Sequence, residues 1–230
     1  MKAVFDDPGN TLELLEGDGD FRSPECETLL DESDIVVTNP PFSLFREYIA
    51  QLIAHNKHFV VIGNFNAVTY KEVFPLIKNN QVWLGYHNGN MAFTVPTTYA
   101  PHSKNDKRFW IDSDGRKWRS IGSATWFTNL DIPKRHEPQV LYRTYKGHES
   151  DYPKFDNYDA VNVDKVSDIP EDYMGVMGVP ITFLNKYDPD QFRIVAFRKG
   201  DDGKDLVFTR ERERVQPYFR VLVRRRFPVC

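Results

Sequence analysis

The chain has 230 residues, of which 40% are apolar and 14% aromatic, and its formal net charge at pH 7 is −3. This size allows a full hydrophobic core, most simply one domain with elaborations. No apolar run reaches the ~18 residues of a transmembrane helix, and the N-terminal segment lacks the pattern of a signal peptide. The distant Cys26 and Cys230 and six scattered histidines form neither a disulfide framework nor a zinc ligand set, so no metal is predicted.

The charge is unevenly distributed along the chain. The segment 1–34 holds eleven acidic and two basic side chains, so the remainder carries a net charge of +6. Two basic stretches, Lys104–Arg119 and Lys204–Arg226, contain six bases against three acids and eight bases against three acids. Such stretches could follow a phosphate backbone, although charge runs are more commonly solvated faces, and both interpretations stay open.

The part of the chain before Gln81 alternates between predicted strands and helices. Thr11–Gly17 reads as the end of a strand that leads into the acidic turn GDGDF, and Ser23 followed by Pro24 is typical of a helix start. The next predicted elements are a strand from Asp34, a helix over 43–56 with Ser43 as N-cap, a strand over 58–63 and a helix over 70–80. This order favours a parallel α/β sheet with right-handed crossovers.

After about Gln81 the pattern changes to short, aromatic, strand-like segments. Asp112–Gly115 predicts a hairpin turn between two of them, and 135–173 reads as a long irregular segment. Further strands are predicted at 178–197, on either side of a Tyr-Asp-Pro-Asp turn, and at Tyr218–Phe227. The aromatic side chains in this part suit a surface that stacks on bases.

The tetrapeptide Asn39-Pro40-Pro41-Phe42 ends the predicted strand at 34–38. Two consecutive prolines fix φ twice and remove two N–H donors, so the chain leaves the sheet in a rigid, extended turn. Open α/β sheets bind ligands at the carboxyl ends of their strands. An amide oxygen, a proline carbonyl and an aromatic ring can together hold a planar base through its exocyclic amine, which points to amino-group methylation.

An acidic turn followed by a strand that ends in Asn-Pro-Pro-aromatic resembles two motifs of amino-methyltransferases. More narrowly, the chain resembles the EcoRI-type adenine-specific DNA methyltransferase family over nearly its whole length. The segments that carry this resemblance are GDGDFRSPECETLL, DIVVTNPPFSLFREYIAQLI, VIGNFNAVTYKEVFPLIKNN, WFTNLD and MGVPITFLNKYDPDQF.

The resemblance implies a fold and a division of the chain. The fold is α/β, a partial Rossmann-like class I methyltransferase sheet with a β-rich, aromatic and basic C-terminal extension. Residues 1–80 would form part of the catalytic core, and residues 81–230 would supply the remaining core strands and a target-recognition region. We also expect a cytoplasmic protein encoded by a prokaryote or a phage, in the setting of restriction–modification.

The resemblance also implies roles for individual residues. Asn39 and the Pro40 carbonyl would accept hydrogen bonds from N6 of an adenine in duplex DNA, and Phe42 would stack on that base after it is flipped from the helix. Asp20 and Phe21 would bind the adenine of the methyl donor, S-adenosyl-L-methionine. Pro41 completes the turn. Basic side chains that could contact DNA are Lys117, Arg119, Arg224, Arg225 and Arg226.

One departure from the family is evident in the segment 1–16, which holds no G-x-G loop that fits the family's N-terminal cofactor-binding part. We therefore expect an exposed sheet edge and half a cofactor pocket, completed by a missing N-terminal segment or a complementing chain. Alternative functions are a non-catalytic DNA-binding remnant of such an enzyme and an RNA or protein-glutamine N-methyltransferase. Gly63 and Asn64 could also line the pocket, or simply form a strand exit.

Overall fold

The computed structural model describes residues 15–86, 91–198 and 205–226. Most of the predicted strand at Thr11–Gly17, and Cys230, lie outside these ranges. The helices are α1 (Pro24–Glu32), α2 (Phe45–Ala54) and α3 (Phe74–Lys78). The strands are β1 (Ile35–Thr38), β2 (His58–Asn64), β3 (Trp83–Leu84), β4 (Ala92–Thr94), β5 (Phe109–Ile111), β6 (Lys117–Ser120), β7 (Ala124–Thr128), β8 (Val161–Asn162), β9 (Met177–Pro180), β10 (Phe192–Arg198), β11 (Phe208–Arg210), β12 (Glu213–Val215) and β13 (Arg220–Arg225).

The first sheet has the strand order β1–β2–β7–β3. The predicted parallel pairing is present between β1 and β2, which helix α2 connects. Strands β7 and β3, however, extend the sheet by antiparallel pairing. The reason is where β7 begins: Ala124 pairs with Asn64 at the end of β2, and the amide of Phe65 donates to the Ser123 carbonyl at 2.6 Å. The chain therefore begins β7 beside the last residue of β2. From there β7 runs antiparallel to β2.

The remaining strands confirm a β-rich part after residue 81. A second mixed sheet has the order β10–β13–β9–β8, a three-stranded antiparallel sheet has the order β4–β6–β5, and β11 pairs with β12. The predicted turn at Asp112–Gly115 joins β5 to β6, with Gly115 at φ 77°. The segment 178–197 differs from a simple two-strand unit, because β13 lies between β9 and β10 and 181–186 forms a 3-10 helix.

One hydrophobic core extends across the first and second sheets. The buried side chains of α2 are Phe45, Ile49 and Leu52, each at most 1% exposed. The Phe45 ring packs on Phe127 of β7 with a centroid distance of 4.9 Å. A Cβ atom at Gly63 would overlap the Phe45 ring, so this glycine allows α2 to lie close against β2. Gly63 is thus a packing residue of the sheet.

No helix among the described residues combines the length and the apolar character that a membrane span requires.

His136 links the two sheets through two carboxylates. Its Nδ1 lies 2.8 Å from Asp190 Oδ2, in the turn before β10, and its Nε2 lies 2.8 Å from Asp131 Oδ1, in the loop after β7. Because both partners are acceptors, both ring nitrogens donate only when the imidazole is protonated. Hydrogen bonds to Asp190 and Asp131 accordingly raise the pKa of His136 above 6.5.

The His136 link makes stability depend on pH in a defined direction. A raised folded-state pKa gives stabilisation that is full below the ordinary value of 6.5 and is lost as pH rises through the folded value. His136→Gln should therefore lower the melting temperature more at about pH 6 than at about pH 9, as measured by circular dichroism. His58→Gln, at the exposed start of β2, is the control. An equal loss at both pH values in His136→Gln would contradict this account.

Candidate active site

A cavity of about 570 Å³ lies between the acidic turn, the end of β1 and the two helices that flank it. The acidic turn contributes Gly19, Asp20 and Phe21, and the segment after β1 contributes Asn39, Pro40 and Pro41. Side chains without a predicted role in binding complete the wall; they include Cys26, Leu29, Thr38, Tyr48 and Gln51. The two motifs, which α1 and β1 separate in sequence, therefore face one common space.

The segment Asn39–Phe42 forms the turn that the prolines predict. Pro40 is buried, and Pro41 has φ −56° and ψ 127°. The amide of Leu44 then donates to the Pro41 carbonyl at 3.0 Å, so a 3-10 helix over Phe42–Leu44 leads into α2. This entry replaces the predicted cap, because α2 begins at Phe45 without a side-chain cap.

Asn39 is exposed at the carboxyl end of β1, and its side chain has no hydrogen-bond partner in the described part of the chain. A primary amide in this position offers one carbonyl acceptor and two N–H donors to a ligand. The neighbouring Pro40 lacks an N–H, so its backbone presents only a carbonyl. The turn therefore offers two carbonyl acceptors, one on the Asn39 side chain and one on the Pro40 backbone.

The acidic turn is held by Arg22, the residue that directly follows it. Arg22 Nε lies 3.0 Å from Asp20 Oδ1 and Arg22 Nη2 lies 2.7 Å from Asp20 Oδ2, which is a bidentate pair. The Asp20 carbonyl also accepts the amide of Ser23 at 2.9 Å. Hydrogen bonds from Arg22 lower the pKa of Asp20 from 3.8 to about 2, so this carboxylate is ionised at neutral pH.

Helix α2 contacts the acidic turn with three side chains. The Phe21 and Tyr48 rings meet edge to face at 5.0 Å, and Gln51 Nε2 donates to the Phe21 carbonyl at 3.0 Å. Glu47 accepts from Arg22 Nη1 at 3.1 Å. The sequence contained a signal for these residues, since positions 47, 48 and 51 share one helical face.

Phe42 lies apart from the cavity wall. Its ring is 43% exposed at the start of the 3-10 helix, next to the Asn-Pro-Pro segment. The large exposed ring is available to a ligand that approaches from outside. Trp126 and Phe127 lie on β7, and Phe127 is fully buried in the core.

The five basic residues predicted to contact DNA are placed differently. Lys117 donates to the carbonyls of Thr97 and Tyr99, and Arg119 pairs with Asp106, so both of these cations support the small sheet. Arg224 is exposed on β13, while Arg225 is partly buried. Arg226 is exposed, although its Nε lies 3.3 Å from the Phe192 carbonyl.

One group of described side chains has the composition of a metal site. His136, Asp188 and Asp190 bring ligand atoms within 4.8 Å of one another, and Asp188 is buried. Both ring nitrogens of His136 already bond to carboxylates, so a metal would have to displace one of these contacts. This group is remote in sequence from the residues of the cavity.

Comparison with known proteins assigns the chain to a family. The family described as "Adenine-specific methyltransferase EcoRI" matches residues 4–226. The chain belongs to this family. It is 53% identical over 225 residues to the type II methyltransferase M.EcoRI of Escherichia coli, and 43% identical over 185 residues to M.MpnI of Mycoplasma pneumoniae. These alignments cover 97% and 79% of the chain. No solved structure gives a significant match.

The family assignment confirms the resemblance to the EcoRI-type methyltransferases. The chain is shorter than the relatives that it matches. The chain spans 66% of M.EcoRI and 57% of M.MpnI. Within the shared part, the cavity combines the ionised Asp20, the Phe21–Tyr48 ring pair and the Asn39 amide, which has no hydrogen-bond partner among the described residues.

Removal of the arginine should release the Asp20 carboxylate. In Arg22→Met the pKa of Asp20 should rise from about 2 toward its ordinary 3.8, because its hydrogen bonds to the guanidinium are lost. Side-chain carboxyl NMR as a function of pH measures this value. Arg46→Met on α2, which removes an ion pair with Glu72, is the control and should leave the pKa of Asp20 unchanged. An unchanged Asp20 titration in Arg22→Met would show that the pair does not form in solution.

Proposed function

We propose that the chain transfers a methyl group from S-adenosyl-L-methionine to N6 of an adenine flipped out of duplex DNA. The observation that supports this proposal most directly is the shared cavity of the Asn-Pro-Pro turn and the acidic turn, in a member of the adenine-specific methyltransferase EcoRI family. The match with relatives named type II methyltransferases adds support for DNA as the substrate.

The target half of the reaction requires two acceptors on one amine. Asn39 Oδ1 and the Pro40 carbonyl accept the two N6 hydrogens and draw the nitrogen toward tetrahedral geometry. The nitrogen lone pair would then attack the methyl carbon as the methyl–sulfur bond breaks, with S-adenosyl-L-homocysteine as the leaving group. The proton would be lost to water afterwards, so no strong base is needed. Phe42, with its exposed ring, stacks on the flipped adenine, an interaction worth about 1–3 kcal/mol.

The cofactor half of the cavity fits an adenosyl group. When bound, S-adenosyl-L-methionine supplies a methyl group on a positively charged sulfur. The ionised Asp20 would accept a hydrogen bond from the amino edge of the adenine ring, and Phe21 would pack beside it. Gln51 lines this half of the cavity and donates from Nε2 to the Phe21 carbonyl. The cavity volume of about 570 Å³ accommodates a nucleoside.

The DNA surface that we propose includes the exposed Arg224 and Arg226 at the end of β13. Lys117 and Arg119 would contribute to DNA binding indirectly, by stabilising the small sheet β4–β6–β5. In this proposal residues 1–80 carry the cofactor-binding acidic turn and the catalytic Asn-Pro-Pro turn, and residues 81–230 add core strands and contact the target. A cytoplasmic location, where DNA is accessible, belongs to the same proposal.

A second candidate is DNA binding without catalysis. It is favoured by β1, which is the edge strand of the first sheet among the described residues and whose Ile35 and Val37 are 50% and 68% exposed. This candidate predicts salt-dependent DNA binding by a chain that gives no calorimetric signal with S-adenosyl-L-methionine. Methylation of RNA or of protein glutamine remains a prediction of the Asn-Pro-Pro-Phe motif alone, and a comparison of substrates separates it from DNA methylation.

The Asn39 amide should be required for methyl transfer. Asn39→Ala should lower the transfer of tritiated methyl from S-adenosyl-L-methionine to duplex DNA by a factor of about 10²–10³, because a transition-state acceptor is lost. Asn66→Ala changes another exposed asparagine, beyond β2, and should leave the rate unchanged.

Two results would contradict the proposal in different ways. Full activity of Asn39→Ala would remove the role of the amide. A wild-type chain that binds DNA but neither binds nor uses the methyl donor would favour the second candidate.

A further inference from the structure

We propose that the polar face of α2, formed by Glu47, Tyr48 and Gln51, is a positioning element that holds the acidic turn in its cofactor-binding conformation. This inference rests on the proposed function, since it names the residues that set cofactor affinity. None of the three is part of the Asn-Pro-Pro-Phe turn or of the acidic turn itself.

Gln51 makes the most specific contact of this face. Its Nε2 donates to the backbone carbonyl of Phe21 at 3.0 Å, between segments that are distant in sequence. The contact reaches the backbone, so it fixes the path of the turn and not only a side chain. Gln51 also lines the cavity, so the same side chain contacts the turn and borders the space for a ligand.

Tyr48 and Glu47 contact the side chains of Phe21 and Arg22, the residues on either side of this carbonyl. The Tyr48 ring meets the Phe21 ring at 5.0 Å with an interplanar angle of 81°, a favourable edge-to-face arrangement. Glu47 accepts from Arg22 Nη1, while the other nitrogens of Arg22 hold both oxygens of Asp20. Glu47 therefore acts on Asp20 through Arg22.

The position of α2 couples the two halves of the cavity. The helix begins at Phe45, directly after the 3-10 helix that Phe42 opens, and its apolar face is fixed in the core through Phe45, Ile49 and Leu52. Residues 47 and 51 are one helical turn apart, so they lie on one face. A single rigid helix thus carries the target turn at its beginning and supports the cofactor turn along its side.

The oxygen of the Gln51 amide takes no part in the contact with the turn. Oε1 is buried and has no hydrogen-bond partner in the described part of the chain. The Phe21 carbonyl is therefore the one partner of this amide among the described residues, and the role of Gln51 is to hold the acidic turn.

The test is the variant Gln51→Leu in the full chain, with S-adenosyl-L-homocysteine as the probe. Loss of the amide should raise the calorimetric Kd for this probe about tenfold, the equivalent of one net hydrogen bond. The Kd for duplex DNA should not change. In turnover, the KM for S-adenosyl-L-methionine should rise while kcat at saturation is retained. Hydrogen exchange at the amides of residues 18–23 should become faster, because the turn loses its anchor.

Gln139→Leu is the matched control. The amide of Gln139 likewise donates to a backbone carbonyl, that of Lys186 at 2.7 Å, but outside the cavity. This variant should leave probe affinity and exchange at residues 18–23 as in the wild type.

The outcomes separate the inference from the proposed function. Unchanged exchange at residues 18–23 in Gln51→Leu overturns the positioning role, whatever the probe does. Faster exchange with unchanged probe affinity also overturns it, because the turn would then not set affinity. If the wild type itself does not bind the probe, the proposed function is overturned, and the role of α2 in cofactor binding falls with it.

Discussion

The two prolines between β1 and α2 are the constraint on which the arrangement of the site depends. They end the strand, because Pro40 and Pro41 cannot donate hydrogen bonds to a ladder, and they fix the backbone through the turn. The chain then enters α2 at a defined point, where Phe45, Ile49 and Leu52 anchor the helix in the core. Because the apolar face of α2 is packed in the core, its polar face is directed toward the acidic turn.

The cavity is therefore a consequence of packing as much as of its polar residues. Close approach of α2 to β2 requires the absence of a side chain at Gly63, since the Phe45 ring occupies that space. Gly63 stands outside the cavity and would affect it only through the placement of α2. The Asp20–Arg22 pair shows the complementary principle, in which a charged group is kept in one orientation by a partner nearby in sequence.

Local features were predictable from the sequence, whereas their tertiary partners were not. The helix start at Ser23–Pro24 and the turn at Asp112–Gly115 depend on residues close in sequence, and both are present. The antiparallel entry of β7 depends on contacts with β2, a segment far away in sequence, which periodicity does not encode. Lys117 and Arg119 illustrate the same limit, because their bonds to backbone carbonyls and to Asp106 follow from the folded sheet.

The site was predictable to a similar extent. Asn39, Pro40, Asp20 and Phe21 could be named because two short motifs carry them, and the structure brings these residues to one cavity. The helical spacing places Gln51 on one face with Glu47 and Tyr48, but it does not predict the contact of Gln51, because a glutamine on a helix is ordinarily a solvated residue. Only the folded chain shows that its amide reaches the Phe21 carbonyl.

The central claim is that one cavity receives the methyl donor between the acidic turn and the Asn-Pro-Pro turn. NMR titration of the isotopically labelled chain with S-adenosyl-L-homocysteine tests it most directly. The account predicts that the backbone amides of Asp20 and Phe21 and the side-chain amides of Asn39 and Gln51 shift together with one dissociation constant. Shifts confined to the second sheet, or shifts of the acidic turn without any change at Asn39, would contradict it.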